Sequence, residues 1–220
     1  MQVKHRSKEK LYQLFARMAS ALANPHRLEL LDLLIQAPRT VEDLAHEAHM
    51  SVANTSQHLQ RLKQANLVAD ERDGLFIRYR LADPAVVRLW QELRSLAELQ
   101  LAEVDRALRD YRPRRHDFQR ISIDNLQERM NRDEVVLLDV RPEIEFQAGH
   151  LPGAVSMPLD ELEQRLGELP PGKLIVAYCR GPFCVFADQA LELLSRRGWN
   201  AARLEEGVAE WQFAGNALER

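Results

Sequence analysis

Cysteine is scarce in this chain: its 220 residues include two, Cys179 and Cys184. Two cysteines cannot build the disulfide framework that stabilises small secreted domains, which excludes that class of protein. No apolar run approaches the roughly 20 residues that span a bilayer. The N-terminal stretch MQVKHRSKEKLYQLF also lacks an uninterrupted apolar segment and a small-residue cleavage site. We therefore expect a soluble, cytoplasmic protein without a membrane partner, in which an unusual thiol is catalytic or redox-active.

Charge is distributed unequally along the chain. Residues 1–115 carry 19 Lys and Arg against 15 Asp and Glu, whereas residues 116–220 carry 11 against 18. A basic first half and an acidic second half indicate two domains with different partners. The polar, proline-interrupted stretch RPRRHD marks the connection between them. We predict a first domain over residues 1–112, a linker over 113–119 and a second domain over 120–220.

The first half has the pattern helix, short helix, helix, hairpin, which is typical of a winged helix-turn-helix. Apolar residues recur at helical spacing over residues 8–22. Apolar and aromatic runs flank Asp73-Gly74, a strong hairpin signal, and a long helix is predicted from Asp83-Pro84 to about Tyr111. Capping side chains or a proline mark the starts of the other helices, namely Asn24 with Pro25, Thr40 with Asp43, and Ser51.

The predicted helix 51–65 has one inner and one outer face. Thr55, Leu59 and Leu62 share the inner face. The outer face is small and polar, and Asn and Gln pair well with adenine while Arg pairs with guanine. A solvated face of an all-helical protein is the alternative, which the adjoining hairpin disfavours. The candidate DNA-contacting residues are Asn54, Ser56, Gln57, His58, Gln60 and Arg61 on the helix, with Arg72, Arg78 and Arg80 on the hairpin.

Three motifs of the first half resemble the ArsR family of bacterial repressors: ALANPHRLELLDLL, TVEDLAHEAHMSVANTSQHLQRLKQANLV and RDGLFIRYRLAD. The resemblance implies a homodimer that binds a double-stranded DNA operator, with the first and last helices at the dimer interface. Metal-sensing members carry cysteines in the third helix, and this helix has none. His46 and His49 lie three apart, but two imidazoles without a third ligand make a poor zinc site. We therefore predict no metal site.

The second half alternates short apolar runs with amphipathic stretches. EVVLLDV and KLIVAYC predict buried strands, and FADQALELLSRRG predicts a helix that stops at Gly198. Such alternation predicts an α/β domain with a mainly parallel sheet covered by helices.

Both cysteines lie in one loop, CRGPFC, between a predicted strand and a predicted helix. The loop is at the carboxyl end of the strand, where α/β proteins place ligands. Inward-pointing amides, the helix N-terminus and the adjacent arginine should lower the pKa of Cys179. A zinc clip lacks further ligands, and a phosphatase-like loop needs an arginine where Val185 stands. A reversible disulfide and buried unreactive thiols stay open. The candidate catalytic residues are Cys179, Arg180, Gly181, Pro182, Phe183 and Cys184.

Residues 120–218 resemble a single rhodanese domain. The motifs are LLDVRPEIEFQAGHLPGAVSMPLDEL, IVAYCRGPFCVFADQALELLSRRGW and ARLEEGVAEWQFAG. The resemblance implies sulfur transfer without a cofactor: Cys179 takes a sulfane sulfur as a persulfide and passes it on, supported by Asp139 and Arg141. The loop departs from the usual pattern, with Pro182 fourth and Cys184 sixth. Few basic side chains disfavour thiosulfate, and Cys184 is placed to attack a Cys179 persulfide.

Three functions fit these observations. The first is a regulator whose second domain reads sulfane sulfur or thiol oxidation through Cys179. The second is a sulfurtransferase whose winged helix mainly dimerises or anchors it. The third is a plain repressor with a vestigial second domain. The expected partners are operator DNA, a second copy of the chain, and a small molecule or protein that donates or accepts sulfane sulfur.

Overall fold

The computed structural model describes residues 2–114 and 116–220, with side chains from residue 7 onward except residue 73. The chain forms two compact units that divide between Arg94 and Ser95. The predicted domain limits and linker remain predictions. Among the described residues, no helix is both long and apolar enough to cross a membrane.

Local capping chemistry determines where the helices of the first unit begin. Asn24 accepts a hydrogen bond from the Arg27 amide at 3.2 Å, with Pro25 at the first helical position. Thr40 and Asp43 form a reciprocal capping box. These predicted starts are confirmed, and so is the start of the fourth helix at Ser51. The helices are α1 (Gln2–Leu22), α2 (Pro25–Gln36), α3 (Val41–Glu47) and α4 (Val52–Gln64).

A hairpin wing follows α4 as the sequence predicts. Strands β2 (Val68–Asp73) and β3 (Phe76–Leu81) pair antiparallel, and β1 (Arg39–Thr40) adds to the other edge of β3. The turn is centred on Gly74-Leu75, one residue later than Asp73-Gly74. Gly74 has a φ of +61°, a conformation that costs glycine little.

The core of the first unit joins all four helices to the wing. The inner face of α4 is confirmed, since Thr55, Leu59 and Leu62 are fully buried. Leu30 and Leu31 of α2 are equally buried. Amphipathic helices thus pack on one another and on the hairpin.

The helix predicted to run from Asp83-Pro84 to Tyr111 is interrupted, and to that extent the prediction is wrong. Helix α5 (Ala85–Gln100) ends before Leu101, and α6 (Ala102–Tyr111) begins after it. Leu101 is extended, with φ −111° and ψ 96°. Its amide still donates to the Ala97 carbonyl at 2.9 Å, so a pattern of apolar spacing gives no sign of the break.

The second unit is a five-stranded parallel sheet in the order β4-β8-β7-β5-β6, which confirms the predicted parallel sheet. Its strands are β4 (Gln119–Ile121), β5 (Val135–Asp139), β6 (Val155–Ser156), β7 (Leu174–Tyr178) and β8 (Ala201–Leu204). The unit begins with the end of α5 and α6, and its further helices are α7 (Ile123–Asn131), α8 (Glu143–Ala148), α9 (Leu162–Arg165), α10 (Phe186–Arg196) and α11 (Val208–Phe213).

The central strand β7 determines which way Cys179 points. Every residue of β7 is buried, and its side chains alternate between two apolar cores. Val176 and Tyr178 enter one core, whereas Ala177 and Cys179 enter the other, which contains the buried face of α10. The period of two along a strand therefore directs the Cys179 sulfur toward α10.

Candidate functional site

The cysteine loop is a tight bend between β7 and α10. Gly181 has a φ of +131°, which a residue with a side chain rarely adopts. A second glycine, Gly207, lies against the loop, because a Cβ there would be 2.6 Å from the Arg180 carbonyl carbon. Both glycines therefore shape the loop through backbone conformation and close approach.

Cys179 sits at the bottom of this loop and is 1% exposed. Its sulfur is 3.6 Å from the Cys184 carbonyl oxygen and 3.9 Å from that of Gly181. The Nη2 atom of Arg203 approaches the same sulfur to 3.9 Å. A small donor, or an opening of the loop, is therefore needed to reach Cys179. Cys184 is half-buried.

The two thiols differ strongly in acidity. Burial opposes ionisation of Cys179, but the hydrogen bond from Cys184 and the positive charge of Arg203 outweigh it. The amides of Ala187 and Gly181 add to this effect, and together these groups lower the pKa of Cys179 to about 6. The same hydrogen bond, together with burial, raises the pKa of Cys184. These shifts favour the thiolate form of Cys179 and the thiol form of Cys184 at neutral pH.

An arginine absent from the predicted site residues, Arg203 of β8, forms the cationic wall of the loop. Its side chain is fully buried and donates to the carbonyls of Gly181, at 3.2 Å, and Cys184, at 3.0 Å. It also pairs with Asp188 of α10 at 2.5 Å. The sequence contains one indication of this role, namely an arginine inside the otherwise apolar strand sequence AARL. An arginine in a buried strand needs a specific partner.

The sequence suggested that the charge of Arg180 would face Cys179. In the structure, Arg180 pairs with a carboxylate instead. Its guanidinium makes two-atom contact with Glu145 of α8, at 2.6–3.1 Å, and lies 5.1 Å from the Phe186 ring centroid. Glu145 is fully buried. The pair braces the outer side of the loop and neutralises the arginine. Pro182 and Phe183 are half-buried in the same loop.

Asp139 and Arg141 form a fully buried ion pair at the end of β5, with Arg141 Nη2 2.6 Å from Asp139 Oδ2. Tyr178 donates to Asp139 at 2.5 Å, and Arg141 donates to the Gly149 carbonyl at 2.9 Å. Leu151 donates its amide to the Tyr178 hydroxyl. These contacts fasten the segment after α8 to the sheet, the arrangement of a structural support.

The candidate DNA-binding face of α4 lies on the surface of the first unit. Asn54, Gln57 and Arg61 are exposed, and Ser56 is half-buried. Arg61 lines a cleft of about 450 Å³ to which Arg17 of α1 and Arg27 of α2 also contribute. Three arginines around one cleft concentrate positive charge beside α4. The sequence did not single out the two partners of Arg61.

Gln60 and His58 of α4 also contact other parts of the unit. Gln60 is exposed and donates to the Tyr79 hydroxyl at 2.9 Å, which ties the helix to the wing. His58 faces His26 of α2, with ring centroids 5.5 Å apart. Burial, followed by the charges of His26 and Arg27, lowers the pKa of His58.

The three arginines of the wing differ in solvent exposure and in their contacts. Arg72 and Arg80 are exposed, and Arg72 donates to the Gly74 carbonyl at the tip. Arg78 is half-buried and donates to the Pro38 carbonyl at 3.3 Å. Arg80 lies 3.8 Å from Glu71.

Comparison with known proteins gives two family matches. The family model for the bacterial regulatory proteins of the arsR family matches residues 24–70, and the rhodanese-like domain model matches residues 122–214. Both resemblances seen in the sequence are confirmed.

Relatives extend these matches to nearly the whole chain. The HTH-type transcriptional regulator Rv0324 of Mycobacterium tuberculosis is 42% identical over 200 residues, covering 91% of this chain and 88% of the relative. The nodulation protein NolR of Rhizobium meliloti is 39% identical over 35% of this chain and 63% of its own length. The solution structure of the winged helix-turn-helix domain of Mb0332 from Mycobacterium bovis is 38% identical. It covers 44% of this chain and 89% of that one, with a TM-score of 0.42. The chain belongs to the ArsR-family transcriptional regulators that carry a C-terminal rhodanese-like domain.

Proposed function

We propose that this regulator reads sulfane sulfur, or oxidation of the same thiol, through Cys179, and that its homodimeric winged helix turns the signal into a change in operator binding. The observation that carries the proposal is the pair of thiols in the cysteine loop. Cys179 is buried, and a hydrogen bond with Cys184 helps to lower its pKa to about 6. A thiolate is the form that attacks sulfur. The winged helix has no cysteine, so thiol chemistry in this chain belongs to the second unit.

The first chemical step is attack by the Cys179 thiolate on the outer sulfur of a donor persulfide, R–S–SH. A sulfur–sulfur bond forms at Cys179, the donor's own sulfur–sulfur bond breaks, and RS⁻ leaves with its electron pair. The arginine charge beside the loop stabilises the anion on the sulfur. The product is a Cys179 persulfide.

The second step uses the neighbouring thiol. Cys184 loses its proton to solvent, attacks the inner sulfur of the persulfide and expels HS⁻, which leaves a Cys179–Cys184 disulfide. The sulfane sulfur is reduced to sulfide, and the two thiols supply the electrons. The Cys179 thiolate is the first cause of the raised pKa of Cys184. Consuming that thiolate therefore favours the second ionisation.

DNA binding is assigned to the outer face of α4 and to the wing. Exposed Asn54, Gln57 and Arg61 suit base edges, and the arginine cleft beside α4 suits phosphates. Exposed apolar side chains on α1 and α5 are assigned to the dimer interface: Leu11, Tyr12, Leu14, Phe15 and Met18 on α1, with Leu89 and Leu93 on α5.

The test uses a DNA duplex selected by the untreated protein from a random pool. Its affinity is measured before and after treatment with glutathione persulfide, for the full chain and for Cys179→Ser. We expect the affinity of the unsubstituted protein to change and to return after dithiothreitol, with no change in Cys179→Ser. An adduct of about 32 Da on Cys179, or the Cys179–Cys184 disulfide that forms from it, should accompany the change. Unchanged affinity with a fully formed adduct would overturn the signalling role, and absence of any adduct or disulfide would overturn the sulfur chemistry.

A sulfurtransferase is the second candidate function, since the same low pKa of Cys179 serves turnover equally well. Multiple turnovers with a persulfide donor and a thiol acceptor, without any effect on DNA affinity, would favour it.

A further inference from the structure

Arg112 is the residue that follows α6, in a stretch whose composition indicates an exposed linker. Its side chain is nonetheless fully buried. Arg114, two residues later, has a side chain that is 56% exposed. Arg112 also lies ten residues before the region that matches the rhodanese-like family.

The guanidinium of Arg112 is held on three sides. Its Nε and Nη2 atoms donate to the two carboxylate oxygens of Asp188, at 2.6 and 3.0 Å. Its Nη1 atom donates to the carbonyl of Pro182 in the cysteine loop. Glu205 lies 3.8 Å away. A planar, two-atom contact of this kind determines the position of both partners.

Asp188 connects Arg112 to the thiol. Its Oδ1 atom accepts from Arg112 and also from Arg203, at 2.5 Å, and Arg203 reaches the Cys179 sulfur. One carboxylate is thus shared by two guanidinium groups, and Glu205 lies 3.8 Å from both of them. Two arginines and two carboxylates therefore balance, and the Nη2 atom of Arg203 is the part of this cluster that faces Cys179.

We propose that Arg112 is a positioning residue of the sulfur site, which holds Asp188 and the Pro182 carbonyl so that Arg203 stays directed at Cys179. This inference rests on the proposed function of Cys179. Arg112 lies inside the second unit, and its contacts bring the residue after α6 onto the loop where sulfur is expected to bind.

Loss of Arg112 has a defined electrostatic consequence. Asp188 and Glu205 would then face Arg203 alone, which leaves net negative charge near Cys179, and the Pro182 carbonyl would lose its donor. Burial of Arg112 opposes its charge, but the hydrogen bond and charge of Asp188, followed by the charges of Glu205 and Cys179, raise the pKa of Arg112. Arg112 therefore remains a cation throughout the pH range of the test.

The experiment compares Arg112→Gln, Arg112→Lys and the matched control Arg114→Gln, which removes the same charge from an exposed position. The pH dependence of alkylation of Cys179 by iodoacetamide is measured in the full chain. In Arg112→Gln the midpoint should rise by about one pH unit, within the range that a nearby charge produces. Arg112→Lys should lie between this variant and the unsubstituted protein, and Arg114→Gln should match the unsubstituted protein.

A purely structural role predicts a different profile. If Arg112 merely fastened the chain, Arg112→Gln would be disordered and its alkylation rate would lose its pH midpoint. We expect instead a single titration whose rate at pH 9 at least equals that of the unsubstituted protein. Equal midpoints in Arg112→Gln and Arg114→Gln would overturn the inference, as would a loss of the titration.

Failure of the proposed function is distinguishable. Alkylation reports the state of Cys179 whether or not it accepts sulfur. Treatment of the same proteins with glutathione persulfide, followed by mass spectrometry, tests sulfur acceptance separately. A shifted alkylation midpoint without any sulfur adduct or disulfide would sustain the electrostatic role of Arg112 and overturn the sulfur chemistry.

Discussion

Replacing Cys184 by alanine should make Cys179 a weaker acid, whereas replacing it by serine should not. The hydrogen bond from Cys184 is the first of the contacts that lower the pKa of Cys179. Alanine removes the donor, and serine keeps one in nearly the same place. Comparing the two variants therefore tells whether the pKa of Cys179 depends on the hydrogen-bond donor at position 184 or on its sulfur atom.

The magnitude follows from the value of a hydrogen bond to a charged group. Such a bond contributes about 1.5–3 kcal/mol, and about 1.4 kcal/mol corresponds to one pH unit. The pKa of Cys179, about 6 in the unsubstituted protein, should thus rise by about one to two pH units in Cys184→Ala. The sign is fixed by the charge: without the donor, the thiolate loses more stabilisation than the thiol does.

The assay is alkylation with iodoacetamide from pH 4.5 to 10, followed by trypsin digestion and mass spectrometry. Cleavage after Lys173, Arg180 and Arg196 places Cys179 on residues 174–180 and position 184 on residues 181–196. The midpoint for Cys179 should move in Cys184→Ala and stay in Cys184→Ser. The alanine variant should react more slowly at pH 6. Above pH 9 it should be about three- to tenfold faster, because intrinsic nucleophilicity rises with pKa.

Two outcomes would refute this reasoning. If all three proteins share one midpoint near 6, the acidity comes from Arg203 and the loop amides. If the midpoint of the unsubstituted protein lies near the usual value of about 8.5, the site does not hold a thiolate at neutral pH.

Four further predictions concern other parts of the molecule. Arg61→Ala should weaken binding to the selected duplex by about 1–3 kcal/mol, measured by fluorescence anisotropy; unchanged affinity would mean that α4 does not bind DNA through this residue. Deletion of residues 118–220 should leave a folded dimer that binds the duplex, because the first core is complete without them; light scattering that reports a monomer or aggregate would contradict this. Gly207→Ala should displace the cysteine loop, since its Cβ would lie 2.6 Å from the backbone of Arg180; we expect a lower melting temperature and slower alkylation of Cys179, and no change in either would argue against the close approach. Persulfides should load Cys179 faster than thiosulfate, a dianion, because the loop arginines are already paired with carboxylates; faster loading by thiosulfate would show that these pairs open.

Much of this protein could be predicted from short stretches of its sequence. The starts of α2, α3 and α4 follow from caps within three residues of each other. The buried face of α4 and the hairpin follow from periodicity, and a buried strand followed by a loop placed Cys179 at the carboxyl end of β7. These features depend on neighbours in the chain, so the local sequence contains the information that specifies them.

The environment of the thiol was decided by tertiary structure. The sequence suggested that Arg180 would face Cys179, but a buried Glu145, 35 residues earlier, takes its guanidinium. The facing cation is Arg203, 24 residues after the cysteine. A charged side chain can be buried only where an oppositely charged partner offsets the cost of its desolvation. The order of the strands in the sheet determines which partners are available, and spacing along the chain does not.

Arg112 shows the same division most clearly. In sequence it is one of three arginines in the polar, proline-interrupted stretch RPRRHD, which is typical of a solvated linker. In the fold it meets Asp188, 76 residues away, and becomes fully buried. The sequence by itself determined that a cysteine would lie in a loop at the carboxyl end of β7. The tertiary structure decided which charges surround it, because an ion pair between distant residues exists only once the sheet and α10 have brought them together.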